Sequence, residues 1–146
     1  MARESELWKR VRKAGIHLRK CGFGVHLCRI ENDAGAGNPD VEGCIDGGQL
    51  WLELKSCDRP KRLSTCIRPK VRPSQDIWLQ ERVRAGCKTC FVLIQVGDAA
   101  ASRLYLIPGN LYPKIICPEP ELASMSVLLH PSTPLPEVLL RATEGF

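Results

Sequence analysis

No stretch of this chain approaches the roughly 18 consecutive apolar residues that a membrane-crossing helix needs. The opening segment MARESELWKR also lacks the apolar run of an export signal. A chain of this kind is expected in a cytoplasm (bacterial, archaeal or phage-infected), with no membrane partner. No internal repeat or low-complexity tract is visible, and the three histidines, His17, His26 and His130, form no His-x-x-x-His or His-Cys pair. Nothing in them points to a zinc hydrolase, and a Cys-His nucleophile would have to be assembled from unlinked positions. A second CxxC is missing as well. Cys87-Lys88-Thr89-Cys90 stands alone, with Cys57 and Cys66 too widely spaced to complete a zinc ligand set.

What is present is enough for one domain. Over 146 residues, 44% are hydrophobic and 25% charged, so the chain can bury a core. A chain with a core and no export signal has little call for a disulfide framework, and its eight cysteines are expected as reduced thiols.

Charge is modest in total and uneven in distribution. The net charge is +5, but in residues 1–20 the bases Arg3, Lys9, Arg10, Arg12, Lys13, Arg19 and Lys20 outnumber Glu4 and Glu6 by five. Residues 59–72 carry Arg59, Lys61, Arg62, Arg68, Lys70 and Arg72 with no acid, so the remainder of the chain is net acidic. Two basic segments on an acidic body suggest a polyanionic partner, most simply nucleic acid; two solvated basic faces are the plainer alternative.

Periodicity gives the elements. Leu7, Val11, Ala14 and Leu18 recur at helical spacing from Arg3 to Lys20. Phe23 to Ile30 reads as a strand, residues 31–39 as a loop with Gly35 and Gly37, and Asp40 to Ile45 as a short strand. Asp46-Gly47-Gly48 is a hairpin turn, and the returning strand runs from Gln49 to Lys55. Prolines 60, 69 and 73 make 57–73 a loop. A helix then begins at Pro73-Ser74, with Ile77, Trp78, Leu79 and Val83 on its buried side. Thr89 to Val96 is almost continuously apolar, as in a strand covered on both faces, and Arg103 to Ile107 is another strand. The proline-rich remainder offers one helix, around residues 136–142. The order predicts an α/β fold, a mixed central β-sheet flanked by helices.

The chemistry concentrates on one strand. Leu50, Leu52 and Leu54 share one face, so Trp51, Glu53 and Lys55 share the other. Trp51 there either packs under the first helix or lines a site. A buried glutamate and lysine are costly unless paired with each other or put to use. The hairpin brings Asp40 beside the strand end that holds Glu53 and Lys55. Two converging carboxylates form a hard-oxygen site suited to Mg²⁺ or Mn²⁺. The neighbouring lysine could position the attacking water, and the glycines before Pro39 would either admit a phosphate backbone or simply make a loop.

Pro39-Asp40 followed by Glu53-Leu54-Lys55 resembles the signature of the PD-(D/E)XK nuclease superfamily. The spacing across the glycine turn is similar to that of archaeal Holliday-junction resolvases and VRR-Nuc nucleases. Glu4-Ser5-Glu6-Leu7-Trp8 resembles their first-helix acidic pattern, and Gln75 falls where VRR-Nuc proteins carry a glutamine. The resemblance implies a restriction-endonuclease-like αβββαβ core in a nuclease domain over residues 1–110. Residues 111–146 would be an extension packed on that domain or at a dimer interface. It implies metal ligation by Asp40, Glu53 and the Leu54 carbonyl, with Glu4 binding directly or through water. Lys55 would orient the nucleophilic water and Gln75 would hold the site. The helical wheel favours Glu4, which shares a face with Leu7, Trp8 and Val11, over Glu6; Glu42 is a rival ligand or a surface strand residue. Lys9, Arg10, Lys13, Arg59, Lys61, Arg62, Arg68, Lys70 and Arg72 would grip DNA phosphates. The implied activity is Mg²⁺-dependent hydrolysis of DNA, structure-selective on junctions or flaps, by a homodimer. The alternatives are an inactive nucleic-acid-binding module and a zinc-stabilised one.

Overall fold

A computed structural model describes residues 2–30 and 37–146; Gly35 of the expected loop lies outside them. The first helix, α1 (Ala2–Lys20), buries Leu7, Val11, Ala14 and Leu18. It ends at Gly22, where the Phe23 N–H reaches back to the Leu18 carbonyl (3.0 Å) and the Gly22 N–H to that of Arg19. Those bonds, and the one from the Gly24 N–H to Asp46 Oδ1, delay the first strand, so β1 is Val25–Arg29, shorter than expected.

Strands β2 (Val41–Ile45) and β3 (Gly48–Cys57) form the expected hairpin. Asp46 and Gly47 both adopt positive φ, 48° and 83°, the geometry that matches a tight turn to strand twist. β3 outruns its partner because its far end pairs in parallel with β4 (Cys90–Val96), from Trp51 opposite Cys90 to Cys57 opposite Val96. α2 (Pro73–Arg84) lies in the connection between them, as a parallel pair requires. β5 (Arg103–Pro108) returns antiparallel, giving a mixed five-stranded sheet in the order β1-β2-β3-β4-β5. The fold is α/β, with helices on both sheet faces.

Two cores result. On one face Leu50, Leu52 and Leu54 meet α1; on the other Val92, Ile94 and Leu79 pack with the chain that follows β5. That last part is more regular than its prolines imply. A 3-10 helix (Gly109–Lys114) precedes α3 (Glu119–Met125) and α4 (Leu135–Glu144). Pro118 and Pro134 sit at the N-caps of α3 and α4, where a missing N–H costs nothing. Tyr112, Ile115 and Leu122 complete one core and Leu135, Val138 and Leu139 the other, so residues 111–146 are built into both faces.

Two packing expectations are corrected. Ile77 is exposed rather than buried, because α2 turns Gln75 and Leu79, one helical turn apart, toward the sheet. Trp51 does not lie under α1. It belongs to the opposite sheet face, where its ring meets Trp78 at 5.2 Å and Arg82 stacks over both. Among the described residues, no helix is long and apolar enough to cross a membrane.

Candidate functional site

Asp40 stands immediately before β2, and Val41 pairs with Leu52, so Asp40 lies beside the part of β3 that continues past the hairpin. Its Oδ2 accepts the Leu54 N–H at 2.9 Å. The N–H and C=O of one strand residue point to the same edge, so the Leu54 carbonyl faces the Asp40 side as well. Gly37 supports this approach. At φ 73° its backbone passes so close to the start of α2 that a β-carbon would collide with the Ser74 carbonyl oxygen. The close approach expected of this glycine is made to the protein's own helix.

Glu53 and Lys55 enter the α2 side of the sheet and are almost wholly buried, 1% and 2% exposed. Lys55 Nζ lies 3.1 Å from Glu53 Oε2 and donates to Gln75 Oε1 at 3.0 Å. The lysine's charge is near Glu53, but its approach is not directed as a hydrogen bond, and both Glu53 oxygens lack a donor. Burial, then the neighbouring Asp40 charge, pushes the Glu53 carboxyl up to about 8, against the opposing pull of Lys55. A buried carboxyl without donors, beside a second carboxylate and a backbone oxygen, is suited either to keeping a proton or to holding a hard divalent cation. The donor set therefore fits Mg²⁺ or Mn²⁺.

Behind the lysine stands a second layer. Tyr112, fully buried, donates its hydroxyl to Gln75 Oε1 at 2.7 Å and accepts the Arg72 N–H at 3.1 Å. Tyr112 comes from the chain after β5, and no sequence pattern links it to the strand motif.

Glu4 is half-buried on α1, against the leucine face of the sheet, whereas the Glu53 and Lys55 side chains occupy the other face. Among the described residues, no group of three or more His, Cys, Asp or Glu side chains is arranged to hold a metal, so Glu4 does not join Asp40 and Glu53. Glu6 is exposed and paired with Lys9 at 3.1 Å, and Glu42 is exposed on β2. No disulfide joins the eight cysteines, and burial pushes Cys90 up to about 12.

Of the basic residues, Lys13, Lys61, Arg62, Arg68, Lys70 and Arg72 are exposed, and Arg10 donates to Gln95. Arg59 is a correction. Its guanidinium is consumed inside the protein, forked onto Glu119 (2.7 and 3.0 Å) and donating to the Ala101 and Val96 carbonyls. Tyr105 adds a 2.6 Å bond to Glu119, and Arg59 first, then Tyr105, holds that carboxyl below its ordinary range. An arginine so bound ties the basic loop to β5 and α3 and is not available to a phosphate. A cleft of about 650 Å³ borders this network through Arg59, Arg103, Tyr105 and Glu119 and includes none of the Asp40 site residues.

No family model matches the chain, and no curated protein matches it.

Proposed function

We propose that this protein is a metal-dependent nuclease that hydrolyses DNA phosphodiester bonds, of the PD-(D/E)XK kind its residues resemble. The observation that carries the reading is the donorless, buried Glu53 carboxylate beside Asp40, with Lys55 fixed next to it. A structural ion pair alone does not account for both Glu53 oxygens lacking hydrogen bonds, because a buried polar atom left unmatched is destabilising.

Asp40, Glu53 and the Leu54 carbonyl would hold Mg²⁺ or Mn²⁺, without Glu4. The bound cation supplies Lewis acidity toward the phosphate and a more acidic water. Lys55 donates a hydrogen bond from a fixed position and orients the attacking water. It also offers positive charge to the phosphoryl oxygens as negative charge accumulates on them. Gln75 keeps the ammonium from swinging away. The exposed bases of α1 and of the 61–72 loop would bind phosphates, giving salt-sensitive affinity with little base readout. The resemblance to junction resolvases favours structure-selective cleavage of branched DNA, and a homodimer would supply the two sites that paired nicks need.

Labelled four-way junction, flap, single-stranded and linear duplex DNA, incubated with Mg²⁺ or Mn²⁺, test this. The wild type is expected to cut at least one, and Asp40→Ala, Glu53→Ala and Lys55→Ala to lose a hundredfold or more. Absence of cutting by the wild type, or full activity in all three variants, refutes the nuclease reading.

A further inference from the structure

We propose that Tyr112 is a positioning residue of this site, acting through the Gln75 amide to fix where the Lys55 ammonium points. The inference rests on the nuclease reading for its consequence and on hydrogen bonding for its cause. Lysine has donors and no acceptor, so the Gln75 oxygen, not its nitrogen, must face Lys55. An isolated glutamine amide can turn over and present its NH₂ instead, which sets donor against donor. The Tyr112 hydroxyl removes that alternative by giving its single proton to the same Gln75 oxygen, at 2.7 Å.

The phenol is itself held. Its oxygen accepts the N–H of Arg72, the residue that caps α2, so the hydroxyl proton is directed to Gln75 rather than to the backbone. The ring is fully buried, and Lys55 Nζ stands 5.8 Å from its centre, a second favourable contact for the cation. Tyr112 belongs to the 3-10 helix after β5, which makes the later part of the chain a contributor to the site. A role confined to satisfying the Arg72 N–H predicts a change in stability alone; positioning predicts a change in turnover.

Tyr112→Phe keeps the ring and removes the bond. It is compared with the wild type, Gln75→Leu and the double variant on a DNA the wild type cuts, at saturating Mg²⁺. Tyr112→Phe should lower kcat about tenfold with KM unchanged, a geometric loss rather than a binding loss. The double variant should fall no further than Gln75→Leu alone, because both act on one link. A second readout needs no cleavage: in metal-free ¹⁵N-labelled protein, the Gln75 side-chain amide signals should shift and broaden in Tyr112→Phe. Wild-type turnover in a folded Tyr112→Phe, or losses that multiply in the double variant, overturn the proposal while leaving the nuclease reading intact. If the wild type cuts nothing, the nuclease reading fails by itself. The amide signals then decide the link, supporting it if they change and overturning it if they do not.

Discussion

The Glu53 carboxylate and the Lys55 ammonium lie 3.1 Å apart inside the protein, yet neither Glu53 oxygen receives a hydrogen bond. With the Glu53 carboxyl raised to about 8 by burial and Asp40, the folded protein keeps a proton that the unfolded chain, at 4.5, releases. The native state binds the extra proton between those values, so stability falls as pH rises through this window and levels off above it. The unfolding free energy of the metal-free protein should fall from pH 5 to pH 8 by an amount on the order of a few kcal/mol, seen as a lower melting temperature. Glu53→Gln should flatten that slope and melt higher than the wild type at pH 8. A wild-type profile without the decline would contradict the assignment.

Cation binding needs the ionised Glu53. The thermal shift produced by Mn²⁺ or Mg²⁺ should therefore be larger at pH 8 than at pH 6, and calorimetry in buffers of different ionisation enthalpy should register proton release. Asp40→Asn and Glu53→Gln should each remove the shift.

The basic loop divides into two kinds of residue. Arg59→Ala leaves the buried Glu119 without its partner and should cost about 2–4 kcal/mol in a denaturant titration. Arg62→Ala and Lys70→Ala, both exposed, should change stability by less than about 0.5 kcal/mol. Each should instead weaken DNA binding and reduce the slope of log affinity against log salt by about one.

Gly37→Ala tests the junction between the Asp40 loop and α2. The positive φ of 73° and the contact with Ser74 both oppose a β-carbon, so a loss of about 2 kcal/mol or more is expected in the melting curve. An alanine tolerated within about 0.5 kcal/mol would mean that the loop does not press on the helix start.

Much of the architecture was legible because it rests on local patterns. The helically spaced apolar residues of α1, the Asp46-Gly47 turn and the almost continuous apolar run of β4 each encode an element within a few residues. The convergence of Asp40 with Glu53 followed from the hairpin, a short-range feature. What escaped depended on partners distant in the chain. Arg59 reads as a free cation until Glu119 is brought to it, and Tyr112 carries no mark of its bond to Gln75. Ile77 reads as core until the polar Gln75 takes the inward position. The prolines around α3 hide that helix, because the residue type that stops a helix also starts one, whereas α4 lies where the pattern around residues 136–142 expects it.

The sharing of one sheet face by α1 and α4 also bears on how the chain folds during synthesis. Leu7 and Val11 are synthesised well before Leu135, Val138 and Leu139, which close the same layer. Until they arrive, the nascent chain carries an unroofed aliphatic surface, and collapse of this layer waits on contacts between residues far apart in sequence. A layer closed this late leaves aggregation-prone surface on the incomplete chain.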